Sequence, residues 1–333
     1  MEFPLRQGML VAHTDAMTSP RFVQLYREDS AALRQELALG LMGEPASVSP
    51  KFLYDALGSR LFDAITELPE YYPTRTERTI LDAHAAAIAG HAGRGRTLID
   101  LGAGNCAKAT RLFPLLEPHR YVAVDISVDF LRDALRQVQR EHPQTDIVGL
   151  GLDFSKRLEL PPELLQPRPV FFYPGSSIGN FTPDEALGFL RQVRAQANGG
   201  GLVIGVDLVK NPAVLEAAYD DALGVTAAFN RNLLRNLNGA IGSDFRAEEW
   251  RHVARFDTGH SRIEMHLEAR RDLSVRWPGA ERHFRAGERI HTENSYKYTV
   301  DRFTELLSAA GFATPTAWTD PNGWFAVLWA PAD

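Results

Sequence analysis

Cysteine is almost absent: Cys106 is the only one in 333 residues. That excludes an internal disulfide and a thiolate metal cluster, and it fits a reducing compartment such as the cytoplasm. No run of about 18 apolar residues occurs, and no basic segment followed by an apolar stretch and a small-residue cleavage site opens the chain, so neither membrane insertion nor secretion is expected. Basic runs are missing too. The 36 Lys and Arg are scattered under a net charge of −6, which argues against a nucleic-acid partner. The ten His show neither H-E-x-x-H nor a spacing paired with Cys, so no metal site is expected. What is plentiful is apolar side chain, 44% of the residues, enough for a large core in a soluble globular protein of two domains or one elaborated domain.

The most informative stretch is Thr97 to Leu115, TLIDLGAGNCAKATRLFPL. Leu98, Ile99 and Leu101 suit a strand covered on both faces, Gly102-Ala103-Gly104 allow a tight turn, and a helix is expected from about Cys106. The turn fits G-x-G-x-x-A (Gly102, Gly104, Ala107), where small residues let a nucleotide-like ligand approach the backbone. Asp100 ends the strand, and Asp125 ends the next one, YVAVDI, about twenty residues beyond Gly104, a spacing that suits a ribose. NAD and S-adenosylmethionine both carry that ribose. The form DLGAG resembles the first motif of Rossmann-like methyltransferases. The plainer alternative is a crossover that binds nothing.

Residues 1–17 read as a disordered tail, and Phe22 to Leu41 has helical spacing. A helical segment reaches Leu68. Pro69 and Pro73 then predict an extended loop presenting Tyr71 and Tyr72, which would otherwise be core aromatics, and a helix follows from Glu77 to Gly90 with Thr76 as its cap. After the glycine turn come a helix over 128–141, strands over 146–152, 170–173 and 202–208, a small-residue loop at Pro174 to Asn180 and a helix over 185–195. This βα alternation predicts a parallel sheet. It then stops: 212–237 reads as helical and 252–275 as antiparallel strands, before a helix over 299–310 and a closing strand pair. The expected division is a cofactor domain, 77–211 with 298–333, and a substrate domain, 18–76 with 212–297.

The segments LYDALGSRLFDAITELPEYYPTRTE, LIDLGAGNCAK, GSSIGN, DLVK, AYDDALGVTAAFNRN, RIEMHLEAR and HTENSYKY, in that order, resemble the histidine Nα-methyltransferase family of ergothioneine biosynthesis. The resemblance implies an α/β fold, a Rossmann-like class I methyltransferase with a second, discontinuous α+β substrate domain. It implies a monomer that uses S-adenosylmethionine to trimethylate the α-amino group of L-histidine, giving hercynine. Carried over by motif, Gly102, Gly104, Lys108, Asp125, Asp153 and Phe154 would hold the cofactor. Tyr71, Gly175, Asn180, Tyr219, Met265, Glu293 and Ser295 would hold the substrate, with Tyr54, which would also lie near the cofactor, and Tyr71 as the catalytic pair. Asn180 and Tyr219 suit a free carboxylate, and tyrosine rings tolerate a methylammonium. Glu293 and Ser295, two apart in an extended stretch, would share a face and meet the N–H and the bare nitrogen of an imidazole; a solvated acid beside a surface serine is the plainer alternative. Asn105-Cys106-Ala107 departs from the small hydroxyl and acidic residues more usual there. Three rivals stay open: the same chemistry on another free amino acid, a Rossmann dehydrogenase, and a binding protein that keeps only the fold.

Overall fold

The computed structural model describes residues 19–25, 30–155 and 157–332; the expected tail over 1–17 lies outside them. The strands, in chain order, are β1 (Arg21–Gln24), β2 (Ala46–Ser47), β3 (Thr97–Leu101), β4 (Arg120–Asp125), β5 (Asp146–Gly151), β6 (Val170–Tyr173) and β7 (Gly201–Asp207). They continue with β8 (Trp250–Asp257), β9 (Arg262–Ala269), β10 (Leu273–Trp277), β11 (Ala280–Phe284), β12 (Arg289–Tyr296), β13 (Thr316–Thr319) and β14 (Phe325–Pro331).

Eight of them form one sheet in the order β1-β5-β4-β3-β6-β7-β14-β13. It is parallel from β1 to β7, and β14 runs antiparallel to both its neighbours. Every residue of β3 and β7 is buried, as apolar runs covered on both faces require. Successive residues feed opposite layers: Leu98, Phe172 and Val327 join the core under the helices Tyr72–Ala92 and Val128–Glu141, while Ile99, Phe171 and Leu328 join the one under Pro183–Gln196 and Val300–Ala309. The chain winds outward from β3 through β4 to β5 on one side and from β6 to β7 on the other. That reversal leaves a crevice at the carboxyl ends of β3 and β6, where ligands of open α/β sheets bind.

Three expectations need correction. Residues 21–24 are not helical but a strand beside β5, and the helix begins only at Ser30. The cause is a pair of gaps: Gly149 and Gly151 leave room over β5 for the Phe22 ring, which a Cβ on Gly149 would approach to 2.5 Å. Those four residues, grouped above with 18–76, therefore sit in the large sheet. Next, the helix placed at Glu77 starts at Tyr72, with Pro73 in its first turn, where a missing N–H costs nothing. Tyr71 and Tyr72 are buried and not presented by an extended loop. Finally, the helix after the glycine turn is a single turn, Ala107–Thr110, preceded by Cys106 at φ 63°.

A second sheet, β2-β12-β9-β8, is antiparallel except for β2, and β10 and β11 form a separate hairpin. Its apolar cluster is drawn from residues 33–72 and 215–290, around Trp250, Phe229, Leu233 and Leu267, with the helix Val225–Ile241 lying within it. Among the described residues no helix is long and apolar enough to cross a membrane.

Candidate functional site

The glycine turn is fixed by β4. Gly102 and Ala103 donate their N–H groups to the Val124 carbonyl at 2.9 and 3.1 Å, and Gly104 donates to Asp125 Oδ2 at 2.9 Å. Asp125 Oδ1 accepts from the Ser127 N–H at 2.8 Å, so the carboxylate is oriented by backbone and keeps further lone pairs for a ligand. Burial raises its carboxyl, and those N–H groups partly offset the rise. Gly102 and Gly104 have φ of 70° and 52°, and a Cβ on Gly104 would meet nothing within 4 Å, so the turn opens onto free space. Beneath it, buried Asp100 accepts from the Tyr121 hydroxyl at 2.7 Å, and its other oxygen has no partner. Burial first, with Asp125 adding, pushes it to about 7 against that hydrogen bond.

Asp153 and Phe154 diverge. Asp153 is buried: Oδ1 accepts from the Ser155 N–H at 3.2 Å, while Oδ2 takes no hydrogen bond and faces the Lys51 ammonium at 3.7 Å. It borders an open cavity of about 490 Å³ lined with Leu25, Leu152, Leu160 and Pro161. The Phe154 ring turns the other way, edge-on to Tyr173 at 5.9 Å, with its tip 3.8 Å from where a Gly102 Cβ would be.

Lys108 and Gly175 meet at Glu77, which sequence reasoning placed only as a helix start. Lys108 Nζ lies 2.6 Å from Glu77 Oε2, and the Gly175 N–H donates to Oε1 at 2.7 Å, so one buried carboxylate clamps the loops after β3 and β6. Glu77 has space only because β7 carries a glycine: a Cβ on Gly205 would stand 2.1 Å from Oε1. Gly205→Ala is therefore expected to destabilise the fold by about 1–3 kcal/mol through overpacking, read as a lower urea midpoint; an unchanged midpoint would show that the clamp yields freely.

On the other wall, Tyr54 follows the 3₁₀ turn Pro50–Leu53 and packs edge-on against Phe62 and Phe229, at 5.6 and 5.5 Å. Its carbonyl accepts from the Ser127 hydroxyl at 3.0 Å, which ties it to the Asp125 loop. Tyr71 caps the helix Tyr72–Ala92, with its ring 6.2 Å from that of Tyr219. Burial, then nearby acids that include Glu293, holds the Tyr54 phenol well above its ordinary value; for Tyr71 the order is burial, then Tyr219 and Glu293. Both stay protonated.

Glu293 and Ser295 are buried together on β12 while Asn294 turns to His291, although a register shift between His291 and Glu293 interrupts the pairing with β9. Met265 is opposite Glu293 in that register. Glu293 Oε2 is buried without a hydrogen bond, and burial pushes the carboxyl up to about 7 against the pull of Lys297. Ser295 Oγ is 2.7 Å from the Tyr219 hydroxyl. The turn Ser177–Asn180 closes on the same strand, since a Cβ on Gly179 would lie 2.9 Å from the Tyr296 carbonyl and 3.5 Å from Ser295 Oγ. Half-buried Asn180 makes no side-chain hydrogen bond to another described residue.

The raised Glu293 carboxyl makes a stability prediction. The folded chain binds this proton more tightly than the unfolded chain, so stability falls as pH rises from the ordinary value of 4.5 through about 7, and the cost persists above. Glu293→Gln is expected to stabilise the protein by about 1–3 kcal/mol above pH 7 and by almost nothing below about pH 4.5. Melting curves at both ends of that window would show it; an equal difference at the two ends would refute it.

Sequence reasoning missed a buried cluster beneath these residues. Asp207, at the end of β7, accepts from the Tyr72 hydroxyl at 2.8 and 2.7 Å, and it pairs with Lys210 at 2.6 Å and Lys297 at 2.8 Å. Burial pulls Asp207 upward, but the two ammoniums outweigh it and leave the carboxyl below its ordinary value. A signal was present: the two-residue period that pairs Glu293 with Ser295 reaches Lys297 next.

The family described as "Histidine-specific methyltransferase, SAM-dependent" matches residues 33–332. A histidine N-alpha-methyltransferase of Mycolicibacterium smegmatis is 40% identical over 306 residues, 89% of this chain and 94% of that one. One from Mycobacterium tuberculosis is 40% identical over 301 residues, 88% of this chain and 93% of the relative. The ergothioneine biosynthesis protein 1 of Neurospora crassa is 32% identical over 84% of this chain, a match that spans 32% of that longer protein.

Proposed function

Because the chain belongs to the family of SAM-dependent, histidine-specific methyltransferases, we propose that it trimethylates the α-amino nitrogen of L-histidine to hercynine, at the head of ergothioneine synthesis. The observation that carries the substrate assignment is Glu293: a buried carboxylate oxygen without a partner, set among Tyr54, Tyr71 and Tyr219. Such an oxygen is costly to leave unpaired, and an imidazole N–H satisfies it.

The residues at the crevice fit S-adenosylmethionine. Asp125 has lone pairs for the ribose hydroxyls, Asp153 Oδ2, which accepts no hydrogen bond and has only the Lys51 ammonium at 3.7 Å, suits an exocyclic amine, and the turn at Gly102 and Gly104 opens onto free space. When bound, this cofactor supplies an electrophilic methyl group on a sulfonium. The chain's own part is placement and exclusion of water. Asn180 and Tyr219 take the substrate carboxylate and Glu293 the ring N–H, with Met265 packed beside them, while the Ser295 hydroxyl donates to that of Tyr219 and so orients it instead of reaching the ring nitrogen. Tyr54 and Tyr71 keep their own protons, so the amine releases its proton to solvent before each transfer. They orient the neutral amine, and their rings accept the growing methylammonium by cation–π attraction worth about 0.5–2 kcal/mol. Lys108 and Gly175, clamped by Glu77, set the spacing of the two loops.

In this reading the two cores flanking the large sheet belong to a cofactor domain and the cluster of the second sheet to a substrate domain of a monomer, with histidine held between them. The single buried Cys106 supports a cytoplasmic setting. Calorimetry tests the substrate: with S-adenosylhomocysteine saturating, histidine is expected to bind and the other amino acids are not. Preferred binding of another amino acid would transfer the chemistry to that substrate.

A further inference from the structure

We infer that Lys297 is the positioning residue for the carboxylate end of the site, acting through the hydroxyls of Tyr219 and Ser295 to select a ligand with a free carboxylate. The inference rests on the function proposed above.

The Lys297 side chain is completely enclosed, with 0% of its surface exposed. Its ammonium has three N–H donors, and three acceptors surround it: Asp207 Oδ2 at 2.8 Å, Ser295 Oγ at 2.8 Å and the Tyr219 hydroxyl at 3.2 Å. The two hydroxyls are themselves 2.7 Å apart, so one donates to the other. Each hydroxyl has one proton and two lone pairs. The one that receives the inner bond therefore has both lone pairs filled, by its partner and by Lys297, and its only remaining capacity is to donate. The pair thus offers a ligand one O–H with an ammonium directly behind it.

Asp207 alone does not explain Lys297, because Lys210 and the Tyr72 hydroxyl already satisfy that carboxylate. In direct ion-pair contact one carboxylate, Asp207, meets two ammonium groups, Lys210 and Lys297, while the other acids that act on them, Asp320 and Glu293, make no ion-pair contact. Such an excess, far from water, attracts an anion strongly. A histidine carboxylate held at Tyr219 and Asn180 supplies that anion, while Glu293 serves the ring.

The test uses the full chain saturated with S-adenosylhomocysteine, titrated with histidine and with histamine, which lacks only the carboxylate. Lys297→Met is expected to weaken histidine roughly 10- to 100-fold while histamine changes less than about twofold and S-adenosylhomocysteine not at all. Tyr219→Phe, which leaves the Lys297–Asp207 pair in place, should show the same selective loss, and the double variant should be no weaker than the weaker single. If both ligands weaken in step, or the two losses add, Lys297 has only a structural role and the inference fails. Should Lys297→Met not fold, Tyr219→Phe decides alone: equal losses for the two ligands overturn the inference. A parent protein that binds no histidine would overturn the proposed function instead.

Discussion

Asp207→Ala is expected to cost the fold about 3–5 kcal/mol, the range for breaking a buried ion pair by removing one partner. Among the described residues Asp207 is the only carboxylate in ion-pair contact with Lys297, which is enclosed, and with Lys210, which is nearly so. Its loss leaves two buried ammoniums facing each other and the Tyr72 hydroxyl without its acceptor. Urea unfolding measures the loss. A companion variant, Asp207→Ala with Lys297→Met, should recover part of it, because the second substitution removes one of the uncompensated charges. A loss below about 1 kcal/mol would mean that water reaches the cluster and that its charges are not truly buried.

Glu293→Ala is expected to lower histidine affinity roughly 10- to 150-fold, the equivalent of one charge-assisted hydrogen bond of about 1.5–3 kcal/mol. The same substitution should raise stability above pH 7, since it deletes a carboxylate that burial disfavours. Opposite signs for binding and stability mark a residue kept for its ligand. S-adenosylhomocysteine affinity should stay as it was, because the acids nearest the glycine turn are Asp125 and Asp100. If the variant binds histidine as well as the parent does, the ring is held elsewhere.

The large sheet was legible because Leu98, Ile99 and Leu101 in β3 and Leu202 to Val206 in β7 are short apolar runs and the glycine turn follows β3 at once. The Asp125 spacing was legible for the same reason, since a βαβ unit fixes the distance between two strand ends. β1 was not. Four residues are too few to show a period, and what makes them a strand is the room left by Gly149 and Gly151, far along the chain. The start at Tyr72 was obscured because Pro73 reads equally as a helix's first turn or as a break.

Within the site, the pairing of Glu293 with Ser295 followed from the strand period, which also reaches Lys297, whereas the other charges beneath it did not. Asp207, Lys210, Lys297 and Glu77 are residue types that ordinarily stay at the surface. Only the meeting of β7, β12 and the helix Tyr72–Ala92 buries them together. Sequence spacing carries no information about such meetings beyond the element in which a residue sits.

The reaction itself can be observed directly. The protein, mixed with S-adenosylmethionine and all twenty amino acids, should convert histidine to a species bearing three added methyl groups and leave the other nineteen unchanged by mass spectrometry. Methyl groups appearing on a different amino acid, or on none, would contradict it.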